Sequence, residues 1–348
     1  MKKRHIANAA LVRLGAARLL NSYWGPERLT VLNYHRIADV NSPDFDYYPA
    51  NVSATPAMFD RQMAYVAAHF NVIDLPQLQR FITQGEPLPA HPLLITFDDG
   101  YLDNYIHAVP VLRHYGLPAV IFLLTGAIDN PTPPWWDACA YCFHHTTKTQ
   151  ADLPLLGPSD LSTPEQRSAI RETMIRRLKT LPDEQKQQAL QDLQTALAVT
   201  VPDSDPNLFM NWEHVREIAE YGIAGQPHTV THPILTRIDP ARMKQEIAQS
   251  CQAIVQQGQQ EVLAFAYPNG TLHDYDQTAL DTLRELDVSM AFTLTPGPMR
   301  AAEVRRHPLE IQRIFLGHRD SFEIFVMKTM GLPAVYTRPA FVERGTAR

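Results

Sequence analysis

Two aspartates stand side by side before a glycine, at the end of an apolar run: LLITFDDGYLDNY, residues 93–105. Adjacent carboxylates repel, so placing Asp98 and Asp99 together at a strand's C-terminal end needs a compensating charge. A bound cation would supply it, and the chain holds further ligands for one. In GQPHTVTHP, residues 225–233, His228 and His232 are four apart, so a single helical turn would bring both imidazoles to one face. Pro233 disfavours helical geometry at His232, which predicts a short turn at a strand-to-helix junction. Two neutral imidazoles and one carboxylate leave coordination positions open for water and substrate, the ligand count of a catalytic zinc site. A histidine pair alone carries little in a chain with 14 histidines. Joined to Asp98 and Asp99 it becomes specific. Zinc is the expected ion, with cobalt, nickel or iron as alternatives, since nitrogen and oxygen donors suit all four.

Such ligands need rigid elements to hold them. LTVLNYH, FNVIDL, PLLITFD, PAVIFLL, EVLAFAYP and VSMAFTL read as strands, apolar without strict alternation, as suits strands covered on both faces. Helices lie between them with legible starts: Thr55-Pro56 and Asp239-Pro240 each fit an N-cap followed by proline at the first helical position. Repeated strand–helix units predict an α/β barrel over residues 25–335. Residues from about 129 to 210 break the rhythm, with no convincing strand, the proline-rich NPTPPWWD and two polar helical stretches. They read as a helical insertion, either a lid or wall to the site or a hairpin remote from it.

The bulk numbers set bounds. With 348 residues, 45% hydrophobic and 20% charged, the chain has room for one large barrel with a substantial core. A net charge of -6 argues against nucleic acid as a partner. Three cysteines make no disulfide framework, and CAYCFHH at 139–145, despite its C-x-x-C spacing, reads as a packed helix face because no second cysteine pair follows. Residues 1–24 begin with Lys2, Lys3 and Arg4, but Arg13 and Arg18 interrupt the apolar stretch. An amphipathic helix is expected there, packed on the domain or lying on an anionic membrane surface. Residues 336–348 form a tail. Cytoplasmic residence, at the inner membrane face if that helix binds lipid, is the resulting expectation.

TFDDGY at 96–101 and HTVTHP at 228–233 resemble the first two motifs of the polysaccharide deacetylase family, the NodB-type domains of carbohydrate esterase family 4. MNWEHVREIAEYGI, VLNYHRI and FAYPNG are similar to further family segments, so the resemblance runs from about residue 29 to 330. It implies a distorted seven-stranded (β/α) barrel that hydrolyses the N-acetyl group of an amino sugar in a glycan. It implies Asp98 as general base, Asp99, His228 and His232 as metal ligands, and the Tyr101 main-chain N–H as an oxyanion donor. These roles agree with elementary chemistry: a cation polarises the acetamide carbonyl while a neighbouring carboxylate takes the proton of the attacking water. Thr229, Tyr267, Asn269 and His35 are the remaining candidates for contact with substrate.

The sequence also departs from the family pattern. Ala266 stands where many members carry an arginine that orients the catalytic aspartate, and Gln226-Pro227 replaces a glycine and a small residue before His228. The general acid has three candidates, His307, His318 and His35, of which His307 is preferred. Two other functions compete: hydrolysis of a small cyclic amide or ureide, and glycan binding without catalysis. Trp135 and Trp136, able to stack on sugar faces, favour a glycan.

Overall fold

The computed structural model describes residues 28–331, Asp44 excepted. The helix expected over 1–24 and the tail at 336–348 lie outside the described residues. Among the described residues, seven parallel strands form the main path of one sheet, each beside its successor in the chain. They are β1 (Arg28–Tyr34), β2 (Pro92–Phe97), β3 (Ala119–Leu123), β4 (Ile223–Pro227), β5 (Ala264–Ala266), β6 (Met290–Pro296) and β7 (Ile311–Phe315). β7 returns to pair with β1, so the sheet curls into a barrel. The expected α/β barrel is the observed fold.

Alternation along the strands separates two layers. Leu32 and Tyr34 of β1, with Ile95 and Phe97 of β2, pack outward against Phe59, Met63 and Val66 of helix Pro56–His69. Their neighbours Leu29, Val31 and Leu94 join Phe292 and Ile311 in an inner core. Moving one strand period at a time toward the C-terminal ends, the inner positions change character. Leu94 is followed by Thr96 and Asp98, Val31 by Asn33 and His35, and Ile311 by Arg313. The barrel is apolar at one end and polar at the end where the site lies.

One seam departs from regular pairing. Between β4 and β5 the described residues form no ladder, and the Gln226 side chain takes its place. Its Oε1 accepts the N–H groups of Leu263 and Ala264 at 2.8 and 2.9 Å, and its Nε2 donates to the carbonyls of Gly225 and Glu261 at 2.8 Å. The Gln226-Pro227 departure therefore has a structural account. Pro227 has no N–H to give a ladder, and Gln226 satisfies the seam's backbone from the side.

Three strand expectations are corrected. FNVIDL yields only the two-residue strand Asn71–Val72, flanking β2 outside the main path. β7 is absent from the runs read as strands, and β4 is implied only by the strand-to-helix junction expected at His228, because glycine, glutamine and proline in β4, and glutamine and arginine in β7, dilute the apolar signal. The segment read as strand-free contains an antiparallel hairpin, Gln150–Leu153 with Gly157–Asp160.

The insertion follows β3 and contributes helices Trp135–His145, Pro164–Lys179 and Asp183–Leu197 around a separate apolar core. Cys139 and Cys142 are buried free thiols in that core, as the packing reading requires. Asp137 ties the insertion to the barrel. Its buried carboxylate accepts the Tyr48 N–H and the Tyr101 hydroxyl, each at 2.8 Å. Among the described residues, no helix is long and apolar enough to cross a membrane.

Candidate active site

Asp98 and Asp99 follow directly from β2. The Asp98 N–H extends the ladder to the Tyr34 carbonyl at 2.9 Å, and the chain then turns through left-handed Asp99 and Gly100, φ +73° and +75°. Glycine suits this position, because its φ is left-handed and a Cβ there would lie 2.7 Å from Leu123 Cδ2, forcing that buried side chain to shift. The turn sends the two carboxylates to different surroundings.

Asp98 meets a cluster of donors. Arg313 Nη1 and Nη2 donate to its two oxygens at 2.6 and 2.8 Å, and Asn33 Nδ2 donates at 2.9 Å. Burial works against ionisation of Asp98, but Arg313, with smaller help from His228 and His35, holds its carboxyl well below the usual carboxylate range. Arg313 in turn donates to the Thr293 carbonyl and Thr96 Oγ1. An arginine therefore does meet Asp98, reaching it from β7 rather than from the Ala266 position on β5. Sequence reasoning missed it; the signal was an arginine on the inner register of an otherwise apolar strand, EIQRIF.

Asp99 lies 3.7 Å from His228 Nε2 and 3.5 Å from His232 Nε2, measured from Oδ1. These three residues can each offer a ligand atom within 4.8 Å of the others. Asp99 Oδ1 is buried without a hydrogen-bond partner. Burial, with Asp98 and Asp137 nearby, pushes its carboxyl well above the ordinary range, so a cation here would relieve a real cost. Burial also favours neutral imidazoles at both histidines, the form that binds metal. The 2.7 Å contact of His228 Nδ1 with the Ala266 carbonyl places the proton on Nδ1 and leaves Nε2 for a ligand bond. The donor set fits a divalent ion.

The route by which the histidines meet differs from expectation. Residues 228–234 form no helical turn; instead Thr229 and His232 adopt left-handed φ values of +68° and +56°. Side chains hold this strained loop. Thr229 Oγ1 accepts the His232 N–H at 3.0 Å, and Glu246 accepts the N–H groups of Val230 and Thr231 at 2.9 Å. Glu246, from helix Pro240–Ala253, carried no sequence signal of this role.

The other candidates separate cleanly. His35 lines the cavity with Nε2 3.9 Å from Asp98 Oδ2, and burial draws its imidazole down to about 4. Asn269 also lines it. His307, the preferred acid, caps helix Ala301–Arg306 at the surface, half-exposed beside Glu310 and outside this cavity. His318 does not line it either. Tyr267 is core: its hydroxyl donates to the Leu309 carbonyl and its ring stacks on Tyr275. Thr229 positions His232 rather than lining the cavity. The Tyr101 side chain is buried against Asp137 and Trp136. The bridge between Tyr101 and Phe209 is closed by Leu102 and Met210 N–H groups, which leaves the Tyr101 N–H outside it.

The insertion forms a wall of this cavity. Trp135, Trp136 and Lys179 line it beside Tyr48, and Trp136 packs edge-on to His232 with ring centres 4.5 Å apart. Of the two readings of the insertion, wall or remote hairpin, the wall is observed.

Residues 85–291 match the family model described as polysaccharide deacetylase. The chain belongs to the polysaccharide deacetylase family. It is 22% identical over 273 residues to a Bacillus subtilis (strain 168) protein named as a polysaccharide deacetylase, YxkH, covering 78% of this chain and 66% of that one. It is 25% identical over 109 residues to the poly-beta-1,6-N-acetyl-D-glucosamine N-deacetylase of Escherichia coli (strain K12), covering 31% of this chain and 16% of that one. The chain thus spans at most about two thirds of these relatives' lengths. Among solved structures, the Streptococcus pyogenes deacetylase PplD in complex with acetate superposes with a TM-score of 0.57 at 20% identity, covering 88% of this chain and 99% of that one. This polysaccharide deacetylase fold, a nearly closed parallel barrel flanked by helices, is therefore shared with solved family structures. The family's chemistry is hydrolysis of N-acetyl groups.

Proposed function

We propose that this chain removes the N-acetyl group from an N-acetylhexosamine of a glycan or glycan precursor, using a divalent ion held by Asp99, His228 and His232. One observation carries the reading. A buried, unpartnered Asp99 oxygen faces two imidazole nitrogens, next to a second aspartate whose oxygens are occupied by Arg313 and Asn33. The two carboxylates therefore divide the work. Bound at the first, the ion supplies Lewis acidity to the acetamide carbonyl and to the attacking water.

The chain's own residues move the proton. Asp98, kept ionised by Arg313, accepts it from the water as the C–O bond forms. His35 is neutral at rest and sits beside Asp98, so the pair can pass that proton to the amine nitrogen as the C–N bond breaks. Acetate and the free amino sugar result. The arginine on Asp98 also answers the Ala266 departure, one of the two grounds for a glycan-binding protein without catalysis beside the unassigned general acid, since a residue able to orient the base is present.

Acetate release from N-acetylglucosamine oligomers tests the proposal. Asp98→Asn should abolish release while divalent-ion binding persists. Normal turnover by that variant would refute the assignment of the base.

A further inference from the structure

The mouth of the cavity is ringed by contacts that tie together segments from different strands. Tyr48, after β1, donates its hydroxyl to Glu172 Oε2 of insertion helix Pro164–Lys179 at 2.7 Å. Lys179, the last residue of that helix, donates from Nζ to Asn269 Oδ1, in the turn after β5, at 2.9 Å. In the same turn the Gly270 carbonyl accepts the N–H of Leu294, in β6, at 2.7 Å. β6 pairs with β7, whose last residue Phe315 meets the His35 ring edge-on with centres 5.6 Å apart. His35 directly follows β1, where the path began. Tyr48, Lys179, Asn269, Leu294, Phe315 and His35 all line the cavity, so among the described residues these contacts form a closed circuit around it.

The reacting groups are well covered within this rim. Asp98, Asp99 and His228 are each 1% exposed, and Trp136 packs on His232 from the insertion side. An acetamide is a short arm on its sugar ring, so reaching groups this covered requires the ring to enter with it. Trp135 suits a ring that carries hydroxyls. It lines the cavity, and its indole N–H is buried without a partner. A buried donor left in that state is costly, and a sugar hydroxyl oxygen is an acceptor that relieves it.

We propose that the cavity is a pocket for a terminal sugar: an N-acetylhexosamine joined to the rest of its carrier by one linkage, with a ring hydroxyl accepting from Trp135 Nε1. An internal residue of a polymer carries chain on two sides and would need the rim open at two places. The insertion, fixed to Tyr48 on one flank and to Asn269 on the other, closes one of them. This rests on the deacetylase reading above and deepens it by naming the position of the substrate sugar. It also gives the insertion a function: its wall turns a groove into a pocket.

Limited digestion by the full chain, supplied with a divalent ion, tests this. The probes are β-1,4- and β-1,6-linked N-acetylglucosamine oligomers of two to five sugars, and an alkyl glycoside of N-acetylglucosamine. Tandem mass spectrometry then locates the free amine. One acetyl group should be lost per oligomer, always at the same end, with kcat/KM independent of length. Turnover at an oligomer's end identifies a glycan end as the source, and turnover of the glycoside alone a precursor sugar. Trp135→Phe keeps the ring and removes the donor; it should lower kcat/KM by about 3- to 10-fold with no loss of thermal stability. Amines at internal positions, or a kcat/KM that climbs about 10-fold or more from two sugars to five, would overturn the pocket. Unchanged turnover in Trp135→Phe would overturn the indole contact. The two readings fail separately. Acetate released from internal residues sinks the pocket and leaves the reaction standing. Acetate from none of the probes sinks the reaction, and calorimetry with the same oligomers then judges the pocket: affinity should not vary with length, and affinity rising with length would refute it.

Discussion

Replacing Arg313 with methionine removes the main partner of a carboxylate that is almost wholly buried at the cavity floor. Both side chains are at most 2% exposed, and the guanidinium supplies two of the three donors to Asp98, at 2.6 and 2.8 Å. Asn33 alone would remain. Breaking a buried pair from one side typically costs about 3–5 kcal/mol, because the remaining charge stays desolvated. Asp98→Asn should cost a similar amount, since it strands the guanidinium instead. The double variant buries neither charge. Its destabilisation should fall short of the sum of the singles by about 2 kcal/mol or more. Urea unfolding of the four proteins at pH 7 measures every corner of the cycle. An Arg313→Met variant within about 1 kcal/mol of the parent, or strictly additive singles, would refute the claim that these groups act as a unit.

Other consequences are as direct. Gln226→Ala leaves two N–H groups and two carbonyls of the β4–β5 seam without their partner, and should destabilise by about 2–4 kcal/mol in the same assay. His35→Ala should lower kcat for acetate release by about 100-fold or more, whereas His307→Ala, at the surface, should leave kcat within about twofold. The pH dependence of stability has a defined sign at Lys179. Its folded value of about 7 lies below the unfolded lysine value near 10.4, so the unfolded chain binds more protons between them and stability rises with pH over that window. Lys179→Met should flatten this rise, and an unchanged pH profile in the variant would contradict it.

Much of the site was legible because its chemistry depends on residue types at short spacing. Asp98-Asp99-Gly100 and His228 with His232 each declare themselves within a few positions of one another. What brings the two groups together is not local. Arg313 lies 215 positions from Asp98, Gln226 stitches a seam 37 and 38 positions away, and Glu246 steadies the histidine loop from a neighbouring helix. Each could be placed only once strand order and inner register were known. The barrel followed from continuous apolar runs, but β7 escaped, and β4 showed only through the junction expected at His228, because the polar residues that serve the site interrupt their pattern. The preference for His307 over His35 failed for a related reason. Position in the chain says little about position around a nearly closed barrel, where β1 and β7 are neighbours.

Equilibrium titration of a divalent ion into the purified, ion-free chain addresses the central claim most directly. One zinc-class ion per chain should bind. Binding should be lost in Asp99→Asn and His228→Ala, which keep a folded far-UV spectrum, and retained in Asp98→Asn. Equal binding by the chain and its Asp99 and His228 variants would contradict the account.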